Sequence, residues 1–111
     1  MTDNTKLIND LLDSVGLPDR GPVAAQAAVF AQCLRIYAER NERYNDNWVR
    51  MGWRGPLFRI RERAERLWDN LFNRTGDVEE IELDDAYDLI NFAGFLVRGA
   101  RGEATRDGEW W

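Results

Sequence analysis

Histidine is absent from this 111-residue chain. With it go the Ser-His and Cys-His couples, so carboxylates with an oxygen-loving cation such as Mg²⁺ or Mn²⁺ are the chemical apparatus that remains. A single cysteine, Cys33, excludes an internal disulfide, and its place in an apolar helical stretch suits a small core residue better than a nucleophile. No apolar run approaches the roughly 20 residues of a membrane helix. The opening Met1-Thr2-Asp3-Asn4 has neither the basic nor the apolar region of a signal peptide, and the expected location is the cytoplasm. Clustered positive charge is missing as well. The net charge is −5 and the arginines of Arg59–Arg66 are interleaved with Glu62 and Glu65, which argues against a surface for duplex nucleic acid.

What the chain does have is helical periodicity. With 44% hydrophobic and 32% charged residues its composition is that of a folded globule, and its length fits one domain. Leu7, Ile8, Leu11, Leu12 and Val15 fall at helical spacing over Thr5 to Val15, and Gly16, Pro18 and Gly21 close that segment. Pro22 suits the first turn of a second helix, expected to run to about Asn45 or Trp48. Gly52 and Gly55 interrupt the chain. Pro56 then stands at the start of a third helix, continuing to about Asn73 with a seam of Leu57, Ile60, Ala64, Leu67 and Leu71. After a Thr75-Gly76 turn, Asp77 and Glu80 have the spacing of a capping box opening a fourth helix that reaches about Arg98, with Gly99 and Gly102 as stop signals. No strand pattern or repeat is seen. The expected fold is all-α, a four-helix bundle-like single domain with its core in residues 5–98, a polar tail over 103–111 ending in Trp110-Trp111, and completion by dimerisation.

Polar groups in apolar seams mark the candidate site. On the second helix Val23, Ala27, Phe30, Leu34, Tyr37, Asn41, Tyr44 and Trp48 share a face, with Asn41 in its middle. A buried amide left without hydrogen bonds costs about 1–3 kcal/mol, so either an internal carbonyl or water satisfies Asn41, or a ligand does. On the fourth helix Asp85 projects into an arc of Ile81, Leu89, Phe92, Ala93 and Leu96, flanked by Asp88 and Asn91. A carboxylate there needs a cation: Arg40, Arg66 or Mg²⁺ would serve, and an Asp–Arg pair that only fixes helix register is the structural alternative. Glu62, Glu65 and Asp69 share a stripe on the third helix nearly opposite its seam, where a solvated face is expected in a monomer. Phe58, Trp68 and Phe72 flank that stripe, and make the helix apolar on more than one side, as in a dimer sandwich.

Three stretches carry a resemblance. Tyr37-Ala38-Glu39-Arg40-Asn41-Glu42-Arg43-Tyr44-Asn45-Asp46-Asn47-Trp48, the segment Gly55 to Leu67 with Ile60-Arg61-Glu62-Arg63-Ala64-Glu65-Arg66-Leu67, and Asp85-Ala86-Tyr87-Asp88-Leu89-Ile90-Asn91-Phe92 together look like the nucleotide modification associated domain 1 family, small helical proteins often encoded by bacteriophages. That family is in turn reminiscent of the all-α nucleoside triphosphate pyrophosphatases of the MazG and dimeric dUTPase kind, which hold Mg²⁺ with a Glu-x-x-Glu on one helix and a Glu-x-x-Asp on the next. Glu62-x-x-Glu65 and Asp85-x-x-Asp88 have that spacing, although Arg61-Glu62 replaces the usual Glu-Glu and Asp85 replaces a longer Glu.

The resemblance implies metal ligands Glu62, Glu65, Asp85 and Asp88, with Glu65 orienting or deprotonating a water. It also implies nucleotide contacts from Tyr37, Arg40, Asn41, Tyr44, Asn47, Trp48, Arg66 and Asn91. The functional expectation is nucleotide binding, extending to Mg²⁺-dependent (pyro)phosphohydrolysis in phage nucleotide metabolism or modification, in the host cytoplasm if phage-encoded. The alternative is a non-catalytic protein that sequesters a nucleotide signal or docks on a host protein. Trp110 and Trp111 would then be either an anchor or a tail folded back on its own helices.

Overall fold

The computed structural model describes residues 5–17, 21–44 and 52–102. Within them the chain forms four α-helices and no strand: α1 (Thr5–Ser14), α2 (Pro22–Tyr44), α3 (Arg54–Leu71) and α4 (Asp84–Ala100). A single 3₁₀ turn, Glu80–Leu83, leads into α4. The all-α, bundle-like expectation holds. Helix α4 is the hub, packing against both α3 and α2, while α1 packs on α2. No described helix is long and apolar enough to cross a membrane.

Most helix ends follow the chain's own punctuation. Gly16 takes φ +71° just beyond α1, a left-handed conformation that a Cβ disfavours. Pro56 lies in the first turn of α3, where its missing N–H is no loss, and it is fully buried. Two boundaries differ from the expected ones. The reciprocal capping box is formed by Glu79 and Glu82, not Asp77 and Glu80, and it opens the 3₁₀ turn, so α4 begins only at Asp84. Arg74 holds this register by bonding both the Glu82 carboxylate and the Asp77 carbonyl.

Gly99 lies inside α4 instead of ending it. A Cβ at this position would sit 2.6 Å from the backbone carbonyl carbon and oxygen of Gly52. The absence of a side chain is what lets the segment before α3 lie against α4.

The buried apolar set among the described residues is small: Leu12, Ala27, Ala31, Cys33, Phe92 and Phe95. Phe92 and Phe95 of α4 meet edge to face at 5.6 Å, and Tyr37 of α2 and Ile60 of α3 pack against them. Tyr37 approaches the Phe95 ring edge-on at 4.9 Å, a favoured geometry for aromatic quadrupoles. The inward face of α2 is therefore turned from the expected one. Ala27, Ala31 and Cys33 are buried whereas Phe30 and Leu34 are exposed, because small side chains allow the neighbouring helices to approach. On α3 the seam likewise shifts: Ile60, Leu67 and Leu71 are half-buried, Leu57 and Ala64 are exposed, and Arg63 points inward.

Candidate functional site

Helix α4 places Asp85 and Asp88 one turn apart on its side towards α2 and α3. Both are mostly covered, with side chains 17% and 13% exposed. Burying a carboxylate is costly unless it is paired and hydrogen-bonded, and here arginines from two helices supply the pairing. Arg66 of α3 donates to Asp85 through Nε at 3.0 Å and Nη2 at 2.8 Å. Arg63, one turn earlier, lies 3.2 Å from Asp88 and 3.5 Å from Asp85. Arg40 of α2 donates to the other oxygen of Asp88. Arg63 also reaches Glu62 at 2.6 Å, and Arg59 reaches the same carboxylate at 2.8 Å.

These pairings set the ionisation. Hydrogen bonding from Arg66, helped by the charges of Arg66 and Arg63, holds the Asp85 carboxyl below the usual carboxylate range against the opposing effect of burial. Arg59 does the same for Glu62. Both carboxylates are anions at neutral pH.

Beside this network lies an open cleft of about 550 Å³, within the size range of small-molecule sites. Arg40, Arg66 and Asn70 form part of its wall, and Asp85 and Asp88 lie at its base. Glu82, Asp84 and the exposed Ile81 bound it on the side of the 3₁₀ turn. The side chains of Arg40 and Arg66 are 51% and 50% exposed. They are thus held at one end by carboxylates and still wetted.

The expected site residues divide. Arg40, Arg66, Asp85 and Asp88 come together at the cleft. Asn41 is half-buried and engaged, but does not line it. Tyr37 belongs to the aromatic core, its hydroxyl accepting from Arg98 at 3.1 Å. Asn91 donates through Nδ2 to the Cys33 carbonyl at 3.0 Å, tying α4 to α2. Glu62 is occupied by Arg59 and Arg63, and Glu65 pairs with Arg61 at 3.0 Å on the exposed side of α3. The side chain of Tyr44, together with Asn47, Trp48, Trp110 and Trp111, lies outside the described residues.

Arg63 was not among the expected contacts. Its signal was positional: it stands three residues after Ile60 and four before Leu67, inside the seam. Asn70 comes to the cleft from the last turn of α3, and Glu82 and Asp84 come from the 3₁₀ turn and the first residue of α4, a junction that helix periodicity does not register.

A magnesium ion takes about six oxygens in near-octahedral array. Among the described residues no group of three or more His, Cys, Asp or Glu is disposed to hold a metal. Asp85 and Asp88 direct their oxygens to guanidinium groups, and Glu65 lies away from them with Arg61. In a single copy this donor set does not fit the ion. Comparison with known protein families, characterised proteins and solved structures yields no match to this chain.

Proposed function

We propose that the chain binds a nucleotide or nucleotide-derived phosphate in the cleft between α2, α3 and the start of α4, as a binding module and not a hydrolase. The observation that carries this reading is the pair of half-exposed arginines, Arg40 and Arg66, facing one cleft while Asp88 and Asp85 restrain them. A guanidinium has five N–H donors, and the pair with Asp85 uses two of Arg66's. Restrained donors of this kind meet phosphate oxygens with little ordering cost. The Asn70 amide on the same wall offers a donor and an acceptor to a base edge. Because Glu82 and Asp84 border the same space, a phosphate accompanied by Mg²⁺ suits the cleft better than a bare polyanion.

The test is calorimetric titration of the purified protein with nucleoside mono-, di- and triphosphates, each with and without Mg²⁺, alongside an assay for phosphate and pyrophosphate release. Saturable binding that weakens at least tenfold in Arg66→Gln, with helicity retained and no turnover, is the expected result. Steady turnover would convert the reading to the Mg²⁺-dependent hydrolase. Neither binding nor turnover with any of these ligands would end it.

A second reading, a docking protein that associates with itself or another protein, is favoured by a separate observation. Phe30 and Leu34 of α2 and Phe58, Trp68 and Phe72 on the side of α3 are all exposed, and Trp68 and Phe72 stack into one apolar surface of the kind that marks interaction sites. Deleting Gly108–Trp111 and finding unchanged partner capture and oligomer size would remove the tail from this reading.

A further inference from the structure

Helix α3 has two faces with different work. Arg63 and Ile60 point towards α4 and the core. On the opposite side Arg54, Phe58, Arg61, Glu65, Trp68 and Phe72 fall at alternating spacings of four, three, four, three and four residues. That is the a/d repeat of a coiled-coil seam. Every one of these side chains is exposed, Phe58, Trp68 and Phe72 by 65%, 62% and 63%. Trp68 and Phe72 stack on each other at 4.3 Å, forming one flat apolar plate.

The order of the chemistry along this stripe is self-complementary when reversed. Read from its N-terminal end it runs cation, aromatic, cation, anion, aromatic, aromatic. Laid antiparallel against an identical helix, with each a position facing a d position, Phe58 meets the second copy's Trp68 and Arg61 meets the second copy's Glu65. Arg54 comes to the second copy's Phe72. The layers are then cation–π, aromatic, ionic, ionic, aromatic and cation–π. A parallel in-register pairing would instead set Arg61 against Arg61 and Glu65 against Glu65.

We infer that α3 pairs with α3 of a second copy, antiparallel about a two-fold axis, with two reciprocal Arg61–Glu65 bridges at its centre. This rests on the self-association form of the docking reading and is independent of the cleft. Symmetric pairing is the commonest way for a chain to cover such a face. Phe58, Trp68 and Phe72, each nearly two-thirds exposed, together offer a surface of at most roughly 400 Å² per copy, about half of what a standard stable interface buries per partner. The flanking stems of Arg61 and Glu65 and the exposed Leu57 extend it. Within one copy Arg61 and Glu65 already bond at 3.0 Å with side chains 83% and 65% exposed, so exchanging partners between copies costs little.

The decisive experiment uses two charge variants of the full chain. Arg61→Glu makes both central positions acidic, and Glu65→Arg makes both basic. By sedimentation velocity the wild type is expected as a dimer. Each variant alone is expected to dissociate with Kd raised about tenfold or more, since each change acts twice across the axis. An equimolar mixture is expected to regain a heterodimer of wild-type strength. That recovery cannot come from a misfolded chain, and circular dichroism of each variant confirms that α3 is intact.

If the wild type dimerises and both variants dimerise equally well, self-association stands and this interface is overturned. If the variants dissociate and the mixture stays monomeric, the antiparallel pairing is overturned. A wild type that is monomeric at high concentration overturns both, and leaves the stripe to a different protein or to the chain's own tail.

Discussion

Both carboxylate oxygens of Asp85 accept hydrogen bonds from Arg66, at 2.8 and 3.0 Å, across the contact between α4 and α3. A two-pronged bond of this kind fixes orientation as well as charge, because the planar guanidinium matches the carboxylate edge for edge. It secures the helix pair while leaving half of Arg66 in water at the cleft.

Replacing Asp85 by Asn keeps the shape and removes the charge. Arg63, whose side chain is only 18% exposed, then loses one of its anionic neighbours. The expected cost is about 1–3 kcal/mol, a fall in Tm of roughly 5–15 °C. Arg66→Lys, with a single ammonium in place of the fork, is expected to lose about 1 kcal/mol. Thermal unfolding of the two variants beside the wild type checks both values and their order.

Stability is expected to decline at both ends of the pH scale for assignable reasons. The Asp85 and Glu62 carboxyls are held below their ordinary values in the folded chain, by Arg66 and Arg59 first. The unfolded chain therefore binds more protons in acid. The stabilisation is complete above the ordinary carboxylate range of about 4 and is lost as pH falls through the depressed folded values. At the other end, the hydrogen bond to Glu80 pushes the Tyr87 phenol up to about 12. Its contribution is present below the ordinary value near 10 and fades as pH rises towards the folded one. Denaturant titrations across pH should show a shallower acid limb in Asp85→Asn and a shallower alkaline limb in Tyr87→Phe, with neither variant changing the slope at neutrality.

Gly99→Ala tests the contact with Gly52. The new methyl carbon would lie 2.6 Å from backbone atoms, which cannot rotate away as a side chain would. A loss of about 2–3 kcal/mol is expected. Gly102→Ala meets no neighbour but has φ +73°, and should cost only about 1 kcal/mol through backbone strain. Equal effects of the two substitutions in chemical denaturation would show that the helix contact is not tight.

Cys33 is buried, and burial pushes its thiol pKa up. A thiol-specific reagent is expected to react with it only as fast as the helices open, and stoichiometrically once the chain is unfolded. Fast labelling of the native protein would place the α2 interior in contact with solvent.

How far the sequence could be read differed from element to element. Helix α1, the start of α2 at Pro22 and the start of α3 beside Pro56 were legible because proline and glycine act locally. The capping box stands two residues beyond the Asp77–Glu80 spacing. Asp77–Glu80 and Glu79–Glu82 share the same spacing, and what separates them is Arg74 reaching across the turn to Glu82, a contact that no local pattern encodes. The rotation of α2 was hidden for another reason. Periodicity says that one side is apolar, but Ala27 and Ala31 are inward while Phe30 and Leu34 are outward, because the face of small residues permits the closer helix approach. At the site, Asp85 in an apolar arc with Arg40 or Arg66 as cation was readable from helix wheels. The roles of Tyr37 and Asn91 were not, since Tyr37 meets Phe95 and Asn91 meets Cys33 across more than fifty residues of chain.

Asp88 takes Arg40 from α2 on one oxygen and Arg63 from α3 on the other, so one carboxyl group acts as a rivet through three helices. Asp85, a turn away, pairs with Arg63 and Arg66, both on α3. Loosening is consequently ordered: neutralising position 88 loosens the end of α2 beyond Tyr37, which Phe95 and Arg98 still hold, while α3 and α4 stay clasped. Amide exchange would then accelerate around Arg40 well before it does around Arg66.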